Sequence, residues 1–191
     1  MAWDVLGTPV GSLAVGCSSK GVARVRFGPE PVPGPAEVAR TGSAAAGGAA
    51  PAVGQGSAQE CLRAARAQLA EYLSGRRRVF DLPLDWSAVS PLQRKVLGAL
   101  YETVRYGQTV TYGELARRSG ALADAELPAR AVGQVMGANP IPVIVPCHRV
   151  VASDGLGGYS GGTRLEVKRW LLILEGALPP TLDWEPAARA Q

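Results

Sequence analysis

The hydrophobic period of this chain changes once along its length, and that change limits the available folds more than any other feature. Val22-Ala23-Arg24-Val25-Arg26-Phe27 alternates with period two, the pattern of a strand with one buried face. From Ser90 onward the apolar residues recur at helical spacing: Leu92, Val96, Leu97 and Leu100, then Val167, Trp170, Leu171 and Leu174. A strand-forming beginning and a helix-forming end predict an α/β chain of two domains. The 191 residues, 47% of them hydrophobic, supply enough material for both cores.

The first domain is expected over 1–85. Thr8-Pro9-Val10-Gly11 and Ser18-Ser19-Lys20-Gly21 are turn sequences on either side of Leu13-Ala14-Val15, so Trp3 to Phe27 reads as an antiparallel meander. Leu62, Ala65, Leu69 and Leu73 predict a helix over Ala58 to Leu73, with Gly75 as its stop. Val79 to Asp85 reads as an edge strand, because Pro83 removes one ladder donor. Between meander and helix, 29–57 carries Pro31, Pro33, Pro35 and an Ala/Gly tract. It cannot bury enough surface to offset its own ordering entropy, and reads as a flexible insertion.

The second domain is expected over 86–180, followed by a tail at 181–191. Ser90 can cap a helix that has Pro91 at its first position. Thr111-Tyr112-Gly113-Glu114 has capping-box spacing and opens a short helix that closes at Ser119-Gly120. Pro128 starts another, running to Met136 and ended by Ala138-Asn139-Pro140. The two helices form a helix-turn-helix candidate. Thr163-Arg164-Leu165-Glu166 repeats the capping-box spacing before the last apolar stripe.

Charge and cysteine usage exclude some classes. The net charge is +4, and all but three of the 20 basic residues are arginine, whose fork suits phosphates and stacking on bases. This permits a polyanionic partner without demanding one. Three cysteines cannot close a disulfide framework, and a single histidine is too few for a zinc finger. Met1-Ala2-Trp3-Asp4 opens directly into strand-like sequence, and no apolar run approaches the roughly 20 residues that span a bilayer. The expectation is a soluble, cytoplasmic protein with reduced thiols.

The segment with chemical content is Ile141-Pro142-Val143-Ile144-Val145-Pro146-Cys147-His148-Arg149-Val150-Val151, which reads as a short buried strand. It carries the only histidine beside a cysteine. A thiol is a good nucleophile only as thiolate, and a neighbouring base or cation promotes that form. Successive side chains on a strand point to opposite faces, so Cys147 and His148 cooperate only if the chain turns there or a water bridges them. The residues alone leave two readings open: a nucleophile beside its base, or a small buried hydrophobe beside a satisfied core histidine. Cys17, in a turn, and Cys61, on a helix face, have no basic or acidic partner in prospect and read as packing residues. Downstream, Gly157-Gly158-Tyr159-Ser160-Gly161-Gly162 offers close backbone approach, a stacking face and hydroxyls to a flat ligand.

Pro146-Cys147-His148-Arg149-Val150, the Tyr159-Ser160-Gly161-Gly162 loop and the helix-turn-helix ending in Asn139-Pro140 together resemble the O6-alkylguanine-DNA alkyltransferases. The resemblance runs from about Ser90 to Gly176 and is weaker over Trp3 to Phe27. It implies a ribonuclease-H-like first domain and a winged-helix-like second one. It implies that Cys147 takes the alkyl group from O6 of guanine by in-line displacement and keeps it, O4-alkylthymine being a further substrate. His148 would act as base through a bridging water, Glu175 would orient it, Asn139 would brace the preceding turn, and Tyr112 would protonate the leaving guanine. Tyr159, Ser160, Gly161 and the Val150 carbonyl would bind the base. Arg130 would fill the gap left by a flipped nucleotide, with Ala129, Gly133 and Met136 beside it on the DNA-facing helix. The partner implied is double-stranded DNA, bound in the minor groove with little sequence preference by a monomer. No cofactor or metal is implied; the zinc site of some relatives is excluded by the single histidine and scattered cysteines. The competing classes are a lesion sensor or transcriptional DNA-binding module with a structural Cys147, and a Cys-His hydrolase.

Overall fold

The computed structural model describes residues 1–28, 53–158 and 165–179. Their contacts divide into two units, Met1–Asp85 and the residues from Trp86 onward.

In the first unit, β1 (Ala2–Thr8), β2 (Gly11–Ser18) and β3 (Gly21–Phe27) form an antiparallel sheet in the order β1-β2-β3. Two-residue turns join them, and Leu13 opposes Phe27 while Val15 opposes Val25. Leu13, Val15 and Cys17 share one face and are fully buried. Helix α1 (Val53–Leu73) packs across β1 and β2 and buries Leu62, Ala65, Leu69 and Leu73. Gly21 must be glycine: its φ is +139° and a Cβ there would meet the Pro83 carbonyl oxygen at 2.2 Å.

Two expectations for this unit need correction. α1 begins at Val53, inside the stretch read as insertion, because a helix anchored on a sheet propagates through Gly54 and Gly56 without a new nucleus. The rest of the expected insertion, 29–52, lies outside the described residues. The edge strand over Val79 to Asp85 shrinks to one parallel bridge between Val22 and Leu84. Pro83 has no N–H but its carbonyl accepts from Val22 N–H at 2.8 Å, and Asp85 N–H donates back to Val22 at 2.9 Å.

The second unit contains α2 (Pro91–Thr103), β4 (Val110–Thr111), α3 (Tyr112–Ser119), α4 (Pro128–Gly137), a 3₁₀ turn (Cys147–Arg149), β5 (Val150–Val151) and α5 (Leu165–Leu174). α2 starts with a reciprocal capping box: Gln93 N–H donates to Ser90 Oγ at 3.2 Å and Ser90 N–H to Gln93 Oε1 at 2.9 Å. At α3 only half of the expected box forms. Thr111 Oγ1 accepts from Glu114 N–H, but the Glu114 carboxylate turns to Arg117 and Arg118, one turn along the same helix. α3 closes at Gly120 in the left-handed conformation, and α3 packs on α4. β4 and β5 pair in parallel, Val110 with Val150 and Thr111 with Val151. The architecture is α/β, with an antiparallel sheet first and a helical part second. Among the described residues no helix is long and apolar enough to cross a membrane.

Candidate active site

Residues 140–149 do not form the strand that their apolar run predicts. Pro140, Pro142 and Pro146 supply no ladder donors, and the backbone satisfies itself locally instead. Asn139 serves both ends of this turn, its Nδ2 donating to Val145 O at 2.9 Å and its Oδ1 accepting from Ile141 N–H at 3.0 Å. Val143 takes φ +74°, a conformation that costs a β-branched residue about 1–3 kcal/mol, and it is held there by burial of its side chain. Pairing resumes only at Val150–Val151.

The chain then tightens into the 3₁₀ turn, where three residues complete one revolution. Cys147, His148 and Arg149 therefore fan out around an axis rather than alternate across a sheet, and all three are buried. Cys147 is 3% exposed.

Glu175 lies where α5 ends, and its carboxylate is the hub of the buried polar cluster. Its Oε1 stands 2.7 Å from His148 Nε2. The Arg149 fork donates to it through Nε at 2.9 Å and a terminal nitrogen at 3.0 Å, and Gly107 N–H adds a bond at 3.1 Å. The other terminal nitrogen of Arg149 donates to Val104 O at 2.8 Å. Burial works to raise the Glu175 carboxyl, but hydrogen bonding to His148 and the Arg149 charge outweigh it and hold it at about 2. Burial, reinforced by the Arg149 and Lys168 charges, pushes His148 below its ordinary value against the pull of Glu175. The consistent state is an ionised Glu175 held by permanently charged Arg149, beside a neutral His148 that donates Nε2–H to the carboxylate.

A second buried charge was not legible as a site residue. Lys168 is fully buried, and its Nζ donates to the carbonyls of Val150 at 2.6 Å, Leu156 at 2.5 Å and Gly158 at 3.0 Å. Burial lowers it to about 8, with the Cys147 charge pulling the other way. The apolar spacing placed the inner face of α5 on Val167, Trp170, Leu171 and Leu174. The buried stripe is instead Lys168, Leu171, Leu172 and Glu175, the same i, i+3, i+4, i+7 pattern one residue on, with Trp170 beside it. A charged residue at each end of an apolar stripe was the available signal. In sequence Arg149 is simply a cation two residues from the thiol, yet in the fold it organises Glu175.

Tyr112 opens α3, and its hydroxyl donates to Gly158 O at 3.2 Å, the carbonyl that Lys168 also holds. The Lys168 ammonium lies 5.9 Å from the Tyr112 ring centre. Burial and then the Cys147 charge raise the Tyr112 hydroxyl, while the Gly158 bond lowers it. The bonds form two groups, His148–Glu175–Arg149 and Tyr112–Gly158–Lys168–Val150, and the Cys147 charge acts on Tyr112 and Lys168 of the second, with Asn139 on the turn leading in. On α4, Ala129 and Arg130 are exposed and Gly133 is half-buried. Met136 departs from its expected place on the DNA-facing surface: it is 6% exposed and packs with Val132 and Val135 on the inner face of the helix. Tyr159, Ser160 and Gly161 lie outside the described residues, as does Thr163 of the second capping box. Among the described residues no group of three or more His, Cys, Asp or Glu could hold a metal ion.

Residues 91–177 match the family model described as 6-O-methylguanine DNA methyltransferase, DNA binding domain, and residues 1–86 match its ribonuclease-like domain. The chain belongs to the 6-O-methylguanine DNA methyltransferase family. Among relatives of this methyltransferase family, the methylated-DNA–protein-cysteine methyltransferase of Rattus norvegicus is 36% identical over 92% of this chain and 82% of its own length. The protein of that name from Mycolicibacterium paratuberculosis is 47% identical over 56% of this chain, and the match spans only 61% of that relative. A crystal structure of Mycobacterium tuberculosis OGT in complex with DNA is 32% identical and superposes with a TM-score of 0.67, covering 92% of each chain.

Proposed function

We propose that this chain repairs DNA by transferring the alkyl group of O6-alkylguanine to its own Cys147, once per molecule. The observation that carries this reading is the buried turn that places Cys147 next to His148, with His148 held by Glu175 and Glu175 by Arg149.

The chemistry follows from these groups. Glu175 accepts the Nε2–H of His148, so the imidazole lone pair sits on Nδ1, the nitrogen available to take the thiol proton through a bridging water. The thiolate attacks the alkyl carbon in line; the carbon–sulfur bond forms as the carbon–oxygen bond breaks, and its electrons pass to the guanine. The Tyr112 hydroxyl then protonates that base. The timing is built in: the Cys147 negative charge helps to keep Tyr112 a weak acid, and the charge vanishes as the thioether forms. Once the proton taken up by His148 returns through solvent to the Tyr112 phenolate, the net change is one alkyl group from oxygen to sulfur and one proton from sulfur to guanine. A thioether has no easy hydrolytic exit, so turnover ends there.

The finer assignments belong to the same proposal. Val150 O gives one lone pair to Lys168 and has a second for the guanine amino group. O6 cannot be reached in line within the stack, so the base is flipped out. Exposed Arg130 and Ala129 on α4 support minor-groove docking, with Arg130 filling the vacated space. Tyr159, Ser160 and Gly161 are assigned to binding the base, the first unit is ribonuclease-H-like and the second winged-helix-like. The protein acts as an intracellular monomer without cofactor.

Incubation with duplex DNA carrying radiolabelled O6-methylguanine tests the proposal. The expected result is one label per protein on Cys147, absent from Cys147→Ser. Unlabelled protein that still binds the lesion would make it a sensor, and multiple turnovers with soluble product would make it a hydrolase.

A further inference from the structure

Cys17 and Cys61 are 44 residues apart in sequence, yet their sulfurs lie 3.1 Å apart, with the Cys61 thiol donating to Cys17. They sit on different elements of the first unit. Cys17 is on the helix-facing side of β2, at a bulge where the pairing with β3 shifts between Gly16 and Cys17. Cys61 is on α1, one residue before buried Leu62, at the margin of the helix face that covers the sheet. Both are free thiols. No local pattern connects them, and the repair chemistry uses neither.

We propose that Cys17 and Cys61 are a reversible redox pair that closes to a disulfide under peroxide and staples α1 to the sheet. A disulfide needs its sulfurs at about 2.0 Å, so closure requires an approach of about 1 Å, within the reach of side-chain rotation. The two thiols differ in access in the way a stepwise reaction needs. Cys61 is half-buried and meets solvent, whereas Cys17 is fully buried. Burial, with Cys61 beside it, pushes the Cys17 thiol upward, so Cys17 stays protonated and waits as the resolving group. In the first step the Cys61 thiolate attacks one peroxide oxygen, giving a sulfenic acid and hydroxide. In the second, that hydroxide takes the Cys17 proton, the Cys17 sulfur attacks the Cys61 sulfur, and the sulfur–oxygen bond breaks with hydroxide leaving. Overall two thiols and one hydrogen peroxide give one disulfide and two waters. The bond adds a covalent link where packing and the Arg66–Asp4 ion pair join helix and sheet, and it closes a long loop, which favours the folded state.

The test treats the full-length reduced protein with hydrogen peroxide, followed by intact mass and peptide mapping. The expected result is a loss of about 2 Da, a cross-linked pair of peptides containing Cys17 and Cys61, and full reversal by dithiothreitol. The oxidised form is expected to melt at a higher temperature than the reduced one. In Cys17→Ala the 2 Da loss disappears, and dimedone traps a sulfenic acid on Cys61. Oxidation of Cys61 to sulfinic acid in the wild type without a cross-link would overturn the proposal. So would a cross-link from either residue to Cys147. The mass of the wild-type protein decides the matter even if the variant fails to fold. None of these readings depends on alkyl transfer, so the redox pair and the repair function stand or fall separately.

Discussion

Replacing Glu175 by glutamine probes the buried cluster at its centre. The substitution keeps the shape and an acceptor for His148, but it leaves buried Arg149 without its counter-charge. Breaking a buried ion pair from one side costs about 3–5 kcal/mol. Proton linkage gives a second route to the magnitude. A carboxyl with an ordinary value of 4.5 is held at about 2 in the folded protein, a gap worth about 3 kcal/mol. Because the folded value lies below the unfolded one, this contribution is fully present above pH 4.5. It is lost as the pH falls through about 2. Both routes predict that Glu175→Gln loses about 3 kcal/mol at pH 7, as order of magnitude. Urea denaturation of wild type and variant at a series of pH values is the assay, with the difference expected to shrink on acidification. Adding Arg149→Met to Glu175→Gln is expected to recover at least about 1 kcal/mol, since removing both charges costs less than orphaning one. Single-turnover label transfer is expected to fall at least about tenfold in Glu175→Gln, through loss of the oriented base. A stability loss under about 0.5 kcal/mol at pH 7, or one that does not change with pH, would refute the account of Glu175 as an ionised hub.

Lys168 has a folded value near 8 against an ordinary 10.5, so its share of stability rises with pH across that window, as the folded state sheds the proton first. Neutral lysine has too few N–H donors for three carbonyls, so wild-type reaction with a free alkylguanine is expected to show an inflection near pH 8 that Lys168→Met lacks; identical pH–rate profiles would exclude this. Gly157→Ala places a Cβ 2.8 Å from the Tyr112 ring at φ +66° and is expected to slow transfer by displacing Tyr112, with a stability cost of about 1–3 kcal/mol; wild-type transfer rates would show that the ring can yield. Arg130→Ala is expected to weaken duplex binding and flatten its salt dependence while sparing reaction with a free alkylated base; equal losses in both assays would reject its role in holding the flipped state.

The legible part of the site was the part whose chemistry is carried by adjacent residue types. Cys147 and His148 announce themselves because a thiol and an imidazole side by side are rare in this chain, which has one histidine. Their geometry was hidden, because an apolar branched run looks the same whether it is a strand or a proline-locked turn. Asn139 and the three prolines decide that choice through hydrogen bonds that periodicity does not register. Lys168 was missed for a related reason: hydropathy reads a lysine as outward-facing, and only the three converging carbonyls make it an inward one. The meander was plain from alternation and turn residues, whereas the proximity of Cys17 to Cys61 depends on how α1 lies on the sheet, which no local pattern encodes.

The buried stripe of α5 also bears on how the length of this segment can drift. Lys168 and Glu175 are separated by seven residues, about 10 Å along the axis and almost two full turns. Glu175 N–H still bonds to Leu171 O at 3.0 Å, so the helical spacing holds to the carboxylate. Inserting or deleting one residue between them would rotate one relative to the other by about 100° and carry it out of the core. A substitution at exposed Arg169 leaves both groups in place, but a change in the length of the stretch strikes the thiol's relay or the carbonyls of the glycine loop outright. The spacing between that lysine and that glutamate is therefore a constraint of its own, separate from the packing of the leucines between them.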